Sequence, residues 1–128
     1  MVKYNTIFAG FAVRDTGAAK AFYHDKVGLD VRDGQEAGLL EIHGTGGTPV
    51  TIYPKPDHQP AVFTVLNIVV PDIDEAVDEL AAAGVSMEHY DQPELRTDAK
   101  GIARGNGPSI AWFKDPDGNI VSVLQTGR

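Results

Sequence analysis

The segment Ile68-Val69-Val70-Pro71-Asp72-Ile73-Asp74-Glu75-Ala76-Val77-Asp78-Glu79-Leu80-Ala81-Ala82-Ala83-Gly84-Val85 decides the fold. It closes an apolar run, Phe63 to Val70, that reads as a strand and stops at Pro71. Asp72 then stands where a carboxylate can accept from the exposed N–H groups of a first helical turn. Glu75, three residues on, completes a capping box. Ile73, Ala76, Val77 and Leu80 recur at helical spacing, and Gly84 supplies the residue that most easily turns left-handed to end a helix. Downstream we expect a strand near Val85–His89, a loop from Asp91 to Pro108 and a strand over Ser109–Lys114. The turn Asp115-Pro116-Asp117-Gly118 and a last strand over Asn119–Gln125 follow.

Reading outward toward the N-terminus, the same order occurs once before. Phe8 to Val13 is apolar and ends at Arg14-Asp15, and Ala18, Ala19, Phe22 and Tyr23 form a helical face that Gly28 closes. Strands fit Leu29–Arg32, Gly38–His43 and Val50–Tyr53, with the turn Gly44-Thr45-Gly46-Gly47 between the last two. A shift of 57 residues carries Val13 onto Val70, Asp15 onto Asp72 and Ala19 onto Ala76. We therefore expect an α+β chain, a single domain of two βαβββ modules over residues 1–57 and 61–128. Between them Pro54-Lys55-Pro56-Asp57-His58-Gln59-Pro60 places three prolines in seven residues, which favours a stiff, extended connector.

Composition removes several function classes. Eleven Lys and Arg against eighteen Asp and Glu leave a net charge of −7, the wrong sign for a surface that must neutralise phosphates, so no nucleic-acid partner is expected. The cluster Arg96, Lys100 and Arg104 holds Asp98 within it and reads as a solvated loop. No apolar run approaches the roughly 18 residues of a membrane span, and the N-terminus lacks the pattern of a secretory signal. Without cysteine there is no disulfide or thiolate chemistry, and a cytoplasmic setting is expected. The glycine turn at 44–47 precedes a strand, so it is not a phosphate loop.

Phe11–Leu29, Ile68–Val85 and Trp112–Leu124, taken in order with the duplication, resemble the vicinal oxygen chelate superfamily. That family contains glyoxalases, extradiol dioxygenases, fosfomycin-resistance proteins and bleomycin-binding proteins. The resemblance covers essentially the whole chain. It implies two βαβββ modules curling around a shared cavity, usually in dimers, so a homodimer is expected. In the metalloenzymes the first and last strands of each module supply His, Gln or Glu to a divalent ion, which acts as a Lewis acid. Carried over, the early positions fall at Phe8 and Val65, and the late ones at Thr51 and Ser122. None is a His, Gln or carboxylate, and such side chains do not hold a borderline dication against water. No metal and no cofactor are expected.

What remains is a pocket. Phe8, Val65, Ile120 and Leu124 would form walls, and Thr51, Asn67 and Ser122 would offer hydrogen bonds, a mixture typical of small-molecule sites. Trp112 points into the cavity if Gly118 forms a bulge that pairs it with Ser122, and toward the helices otherwise; Asp-Pro-Asp-Gly favours the bulge. Arg104, in a glycine-rich loop that could act as a lid, would meet a ligand anion or simply be a surface cation. Tyr53 and Tyr90 either line the mouth or pack ordinarily.

Among the histidines, His24 suits a helix C-terminus and His58 is expected to be exposed in the connector. Glu41 and His43 share a strand face, and they and His89 are the weak catalytic candidates. The leading expectation is metal-independent binding or sequestration of a small aromatic or amphipathic molecule. The alternative is a glyoxalase- or dioxygenase-like lyase, isomerase or oxygenase using a displaced metal site or His/Glu acid–base chemistry.

Overall fold

Both aspartates that the repeat superposes cap helices. In the computed structural model, which describes residues 1–105 and 107–126, the Asp15 carboxylate accepts from Gly17 and Ala18 N–H, and that of Asp72 accepts from Glu75 N–H. The chain divides into two units, Met1–Gln59 and a second that begins at Pro60.

In the first unit β1 (Gly10–Val13) leads into α1 (Thr16–Lys20), which continues as a π-helical turn over Ala21–Lys26. Strands β2 (Asp30–Asp33), β3 (Leu40–His43) and β4 (Val50–Pro54) follow, in the sheet order β1-β4-β3-β2 with β1 and β4 parallel. The second unit repeats this plan. Its elements are β5 (Thr64–Val69), α2 (Ile73–Ala82), the small hairpin β6 (Asp91–Gln92) and β7 (Leu95–Arg96), β8 (Ile102–Ala103), β9 (Ser109–Lys114) and β10 (Ile120–Gln125). Its main sheet is ordered β5-β10-β9-β8, again with first and last strands parallel. The α+β duplication expected from sequence is thus present in the topology. Among the described residues no helix is long and apolar enough to cross a membrane.

One face of each sheet is covered by its helix. Tyr23 is fully buried and packs edge-on against Phe11, with ring centroids 5.9 Å apart. Ile73, Val77 and Leu80 of α2 are buried, as are Ala111, Phe113, Val121 and Val123 of the strands that α2 packs against. Ala18, expected on the apolar face of the first helix, is exposed instead. The π turn that follows widens the helix, so Ala19 and Tyr23 alone carry the buried stripe.

Several boundaries shift for identifiable reasons. Leu29 does not start a strand, because its N–H closes the helix end on the Tyr23 carbonyl beside Gly28 (φ 88°). Val85–His89 forms no strand beyond a single bridge between Met87 and Phe113. The outer strand of the second sheet comes instead from inside the expected loop, as β8. Asp98 builds it by accepting from Lys100 and Ile102 N–H. Gly101 (φ 89°) is buried, and a Cβ there would meet Met87 Cβ at 3.0 Å and the Glu88 carbonyl at 3.1 Å. This part of the loop is therefore a strand paired with β9.

His58 is buried, at 5% exposure, and not exposed as the connector's composition suggested. Its N–H donates to the Lys55 carbonyl, and its own carbonyl accepts from Arg14 Nη2 at 2.5 Å, tying the connector back to the first unit.

The turn before β10 rests on one carboxylate. Asp115, 5% exposed, accepts from Asp117 N–H, Asn119 N–H and Asn119 Nδ2, each at 2.9 Å. Asp115→Ala strands the buried Asn119 donors, so chemical denaturation should show a loss of roughly 3 kcal/mol. At the loop, the Arg104 guanidinium, and then the Lys100 ammonium, hold the Asp74 carboxyl below its usual 3.8. That attraction is complete above pH 3.8 and is lost as pH falls through the lower folded value. Amide exchange at Ile102, followed by NMR, should therefore lose protection earlier on acidification than that at Val123, and Asp74→Ala should abolish the difference.

Candidate functional site

The faces turned away from the helices carry most of the residues singled out from sequence, in two groups. On the first sheet the register aligns Gly10 with Thr51, Glu41 with Thr51, Arg32 with Glu41 and Asp30 with His43. Alternation then places Thr51, Tyr53, Glu41 and His43 on this open face. Glu41 Oε1 and His43 Nε2 lie 2.9 Å apart, both partly buried. Beside them Arg32 grips Asp30 with two bonds, Nε to Oδ1 at 3.1 Å and Nη2 to Oδ2 at 2.7 Å. The Arg32 hydrogen bond holds the Asp30 carboxyl below the usual carboxylate range, and Asp30 in turn raises the Arg32 guanidinium. Phe8 lies just outside β1, 63% exposed, on the wall of a cleft of about 360 Å³ that also includes Leu39, Glu41, Pro49 and Thr51.

On the second sheet Ser122 pairs with Trp112 across β9 and with Asn67 across β5. Val121, Val123, Ala111 and Phe113 are the buried residues of these strands that face α2, so Trp112, Ser122, Ile120, Leu124 and Asn67 lie on the opposite face. The hairpin leaves Trp112 opposite Ser122, with Gly118 at φ 86°. Trp112 Nε1 donates to Thr64 Oγ1 at 3.2 Å, and Tyr90 meets the indole edge-on with centroids 5.5 Å apart. Burial, with the Glu88 charge, pushes the Tyr90 phenol above its usual value. Val65 sits where the β5–β10 register slips, between Thr64 opposite Ile120 and Leu66 opposite Val121. Ser122 is fully buried and its hydroxyl donates to Asn67 Oδ1 at 2.6 Å. Its donor is therefore already used within the sheet.

Arg104 and His89 stand apart from these groups. Arg104 binds Asp74 at 2.7 Å and Asp98 at 3.1 Å, at the start of α2. It lines a larger cleft of about 880 Å³ with Pro71, Asp72, Ser109 and Gln125. The principal polar groups there already have partners: Asp72 caps α2, and Gln125 Oε1 accepts from Ile73 N–H. Lys100 joins the same network through Asp74 and Asp78. His89 is exposed, with its ring over Gly101.

The register also tests the metal positions. Thr51 lies opposite Gly10 and Ser122 opposite Asn67, and the shift of 57 residues carries Gly10 onto Asn67, so the two late positions are equivalent. Neither threonine nor serine there, nor Phe8 and Val65, matches what a divalent ion requires. Among the described residues no group of three or more His, Asp or Glu side chains is arranged to hold a metal. Glu41 and His43 offer two donors only. The resident-metal site of the metalloenzymes does not fit this chain.

Sequence reasoning missed the Asp30–Arg32 fork, although two residues of opposite charge at strand spacing could have signalled it. It also missed the Thr64–Trp112 and Ser122–Asn67 bonds, which depend on a register that no local pattern encodes.

The chain's fold recurs in solved structures. An antibiotic binding protein, TnmS3 from Streptomyces sp. CB03234, matches with a TM-score of 0.67 and 23% identity over 99% of each chain. A glyoxalase/bleomycin resistance protein from the same organism matches at 0.64 and 24%, over 93% of this chain and 100% of that one. A superfamily member from Sphaerobacter thermophilus DSM 20745 matches at 0.65 and 22%, over 96% and 98%. No curated protein matches the chain. The family model for the Glyoxalase/Bleomycin resistance protein/Dioxygenase superfamily matches residues 6–123. With the duplicated sheets and their parallel first and last strands, this establishes that the chain belongs to that superfamily.

Proposed function

We propose that this chain binds, and so sequesters or carries, a small aromatic or amphipathic molecule without the help of a metal. The observation that carries the reading is the retained fold with Phe8, Thr51, Val65 and Ser122 at the four coordinating positions. A metalloenzyme stripped of all four donors keeps a scaffold for ligands but loses its Lewis acid. The open face of the second sheet offers apolar surface from Trp112, Ile120 and Leu124 with a few polar groups, the composition that small-molecule sites favour. The antibiotic-binding activity named for TnmS3 is consistent with this reading. A homodimer in the cytoplasm, of twice the 13.7 kDa chain mass by light scattering, belongs to the same proposal.

A thermal-shift screen of antibiotics, aromatic metabolites and 2-oxoaldehydes tests the reading directly. A true ligand at a hundred times its Kd adds about 2.7 kcal/mol, which should raise the melting midpoint by roughly 10 °C. Metal analysis of the purified protein should find no stoichiometric divalent ion. A tightly held ion whose removal abolished an activity would overturn metal independence.

A second reading, an enzyme using His43 and Glu41 for acid–base chemistry, is favoured by their 2.9 Å contact alone. A carboxylate within hydrogen-bond reach orients an imidazole for proton transfer. It predicts that His43→Ala abolishes turnover of a 2-oxoaldehyde at unchanged melting temperature. Full activity in both His43→Ala and His89→Ala would end it.

A further inference from the structure

We infer that the open face of the second sheet selects planar aromatic compounds bearing a hydrogen-bond acceptor oxygen at their rim, and that Asn67 sets this preference. The inference rests on the small-molecule reading and deepens it.

Its basis is the direction in which one amide is locked. Asn67 is exposed, but its Oδ1 lies 2.6 Å from the hydroxyl of fully buried Ser122. The 2.6 Å separation lies in the range of a hydroxyl donating to a carbonyl oxygen. A buried hydroxyl also needs an acceptor, and the Asn67 carbonyl supplies it. The carbonyl end is thereby held against the sheet, and the NH₂ end, with its two donors, is left as the group that faces solvent.

The neighbouring groups sharpen the preference. The Trp112 indole N–H is committed to Thr64 Oγ1, and the Tyr90 ring stands perpendicular to the indole with centroids 5.5 Å apart. Trp112 bonds a residue two strands away across β10, so the ring lies over the sheet beside Ser122. Asn67, Ser122 and Trp112 stand in one row on successive strands spaced about 4.8 Å apart. The backbones of Asn67 and Trp112 are therefore about 10 Å apart, and the indole reaches back to Thr64, three residues before Asn67 on β5, so the two side chains lie within the span of a fused-ring compound. Stacking would use the indole, and the outward Asn67 donor would meet an oxygen acceptor.

The test uses 1-indanone and indane, two flat probes that differ by one carbonyl, titrated into ¹⁵N-labelled protein. The readout is the indole N–H signal of Trp112, the chain's one tryptophan. Asn67→Asp keeps an acceptor for Ser122 while replacing the outward donor with an acceptor. It should weaken 1-indanone by about fivefold and leave indane within twofold, since a neutral hydrogen bond contributes on the order of that factor. Asn67→Ala should do the same if it folds, and Asn67→Asp carries the test if it does not. Unchanged 1-indanone affinity in Asn67→Asp, or an equal loss for both probes, overturns the inference. So does the failure of both probes to shift Trp112 in the unmutated protein. In those cases, hits in the thermal-shift screen would still uphold small-molecule binding, whereas an empty screen would remove both readings.

Discussion

The parallel pairing of the first and last strand in each unit governs the rest of the structure. After β1 and β5 the chain must cross over through a helix, and a helix on one side covers one sheet face and leaves the other open. The close approach is built into the backbone. At Gly10 a Cβ would lie only 2.9 Å from the Thr51 carbonyl, so the residue opposite the first unit's late coordinating position has no room for a side chain. The same pairing puts Asn67 opposite Ser122 in the second unit. Equivalent places in the two sheets therefore hold Gly10 with Thr51 and Asn67 with Ser122, and the second pair has become a side-chain hydrogen bond.

In the superfamily's metalloenzymes these strands bring donors to a cation, and the fold needs only the strands. Here hydroxyl and apolar groups occupy the matching positions, and the sheets keep the same register. The two faces differ chemically. The first carries the Asp30–Arg32 and Glu41–His43 pairs, whereas the second carries Trp112 among apolar residues, with Asn67 accepting from Ser122. The polar pairs are internally satisfied, which lowers their appetite for further partners.

The segment between α2 and β9 shows charge fixing a conformation where apolar pattern is weak. Asp98 holds the Lys100 and Ile102 amides and shares Arg104 with Asp74, while Lys100 reaches Asp74 and Asp78. These exposed pairs contribute little individually, but together with buried Ile102 they pin a two-residue strand to the sheet edge. Lys100 and Arg104, which composition left as a solvated loop, thus help to set the loop's geometry.

The sequence by itself determined the duplication, both helix caps and the β9–β10 hairpin. Each of these is local: a capping aspartate, a glycine at positive φ or a period-two run acts over a few residues and can be read in order. Only the tertiary structure decided which short segment became the outer strand of the second sheet, that His58 is buried, that Arg104 pairs with Asp74 of α2 and that Asn67 accepts from Ser122. Those outcomes depend on register between strands as many as 55 residues apart, and on which partner satisfies each buried polar group. No periodicity along the chain records either one.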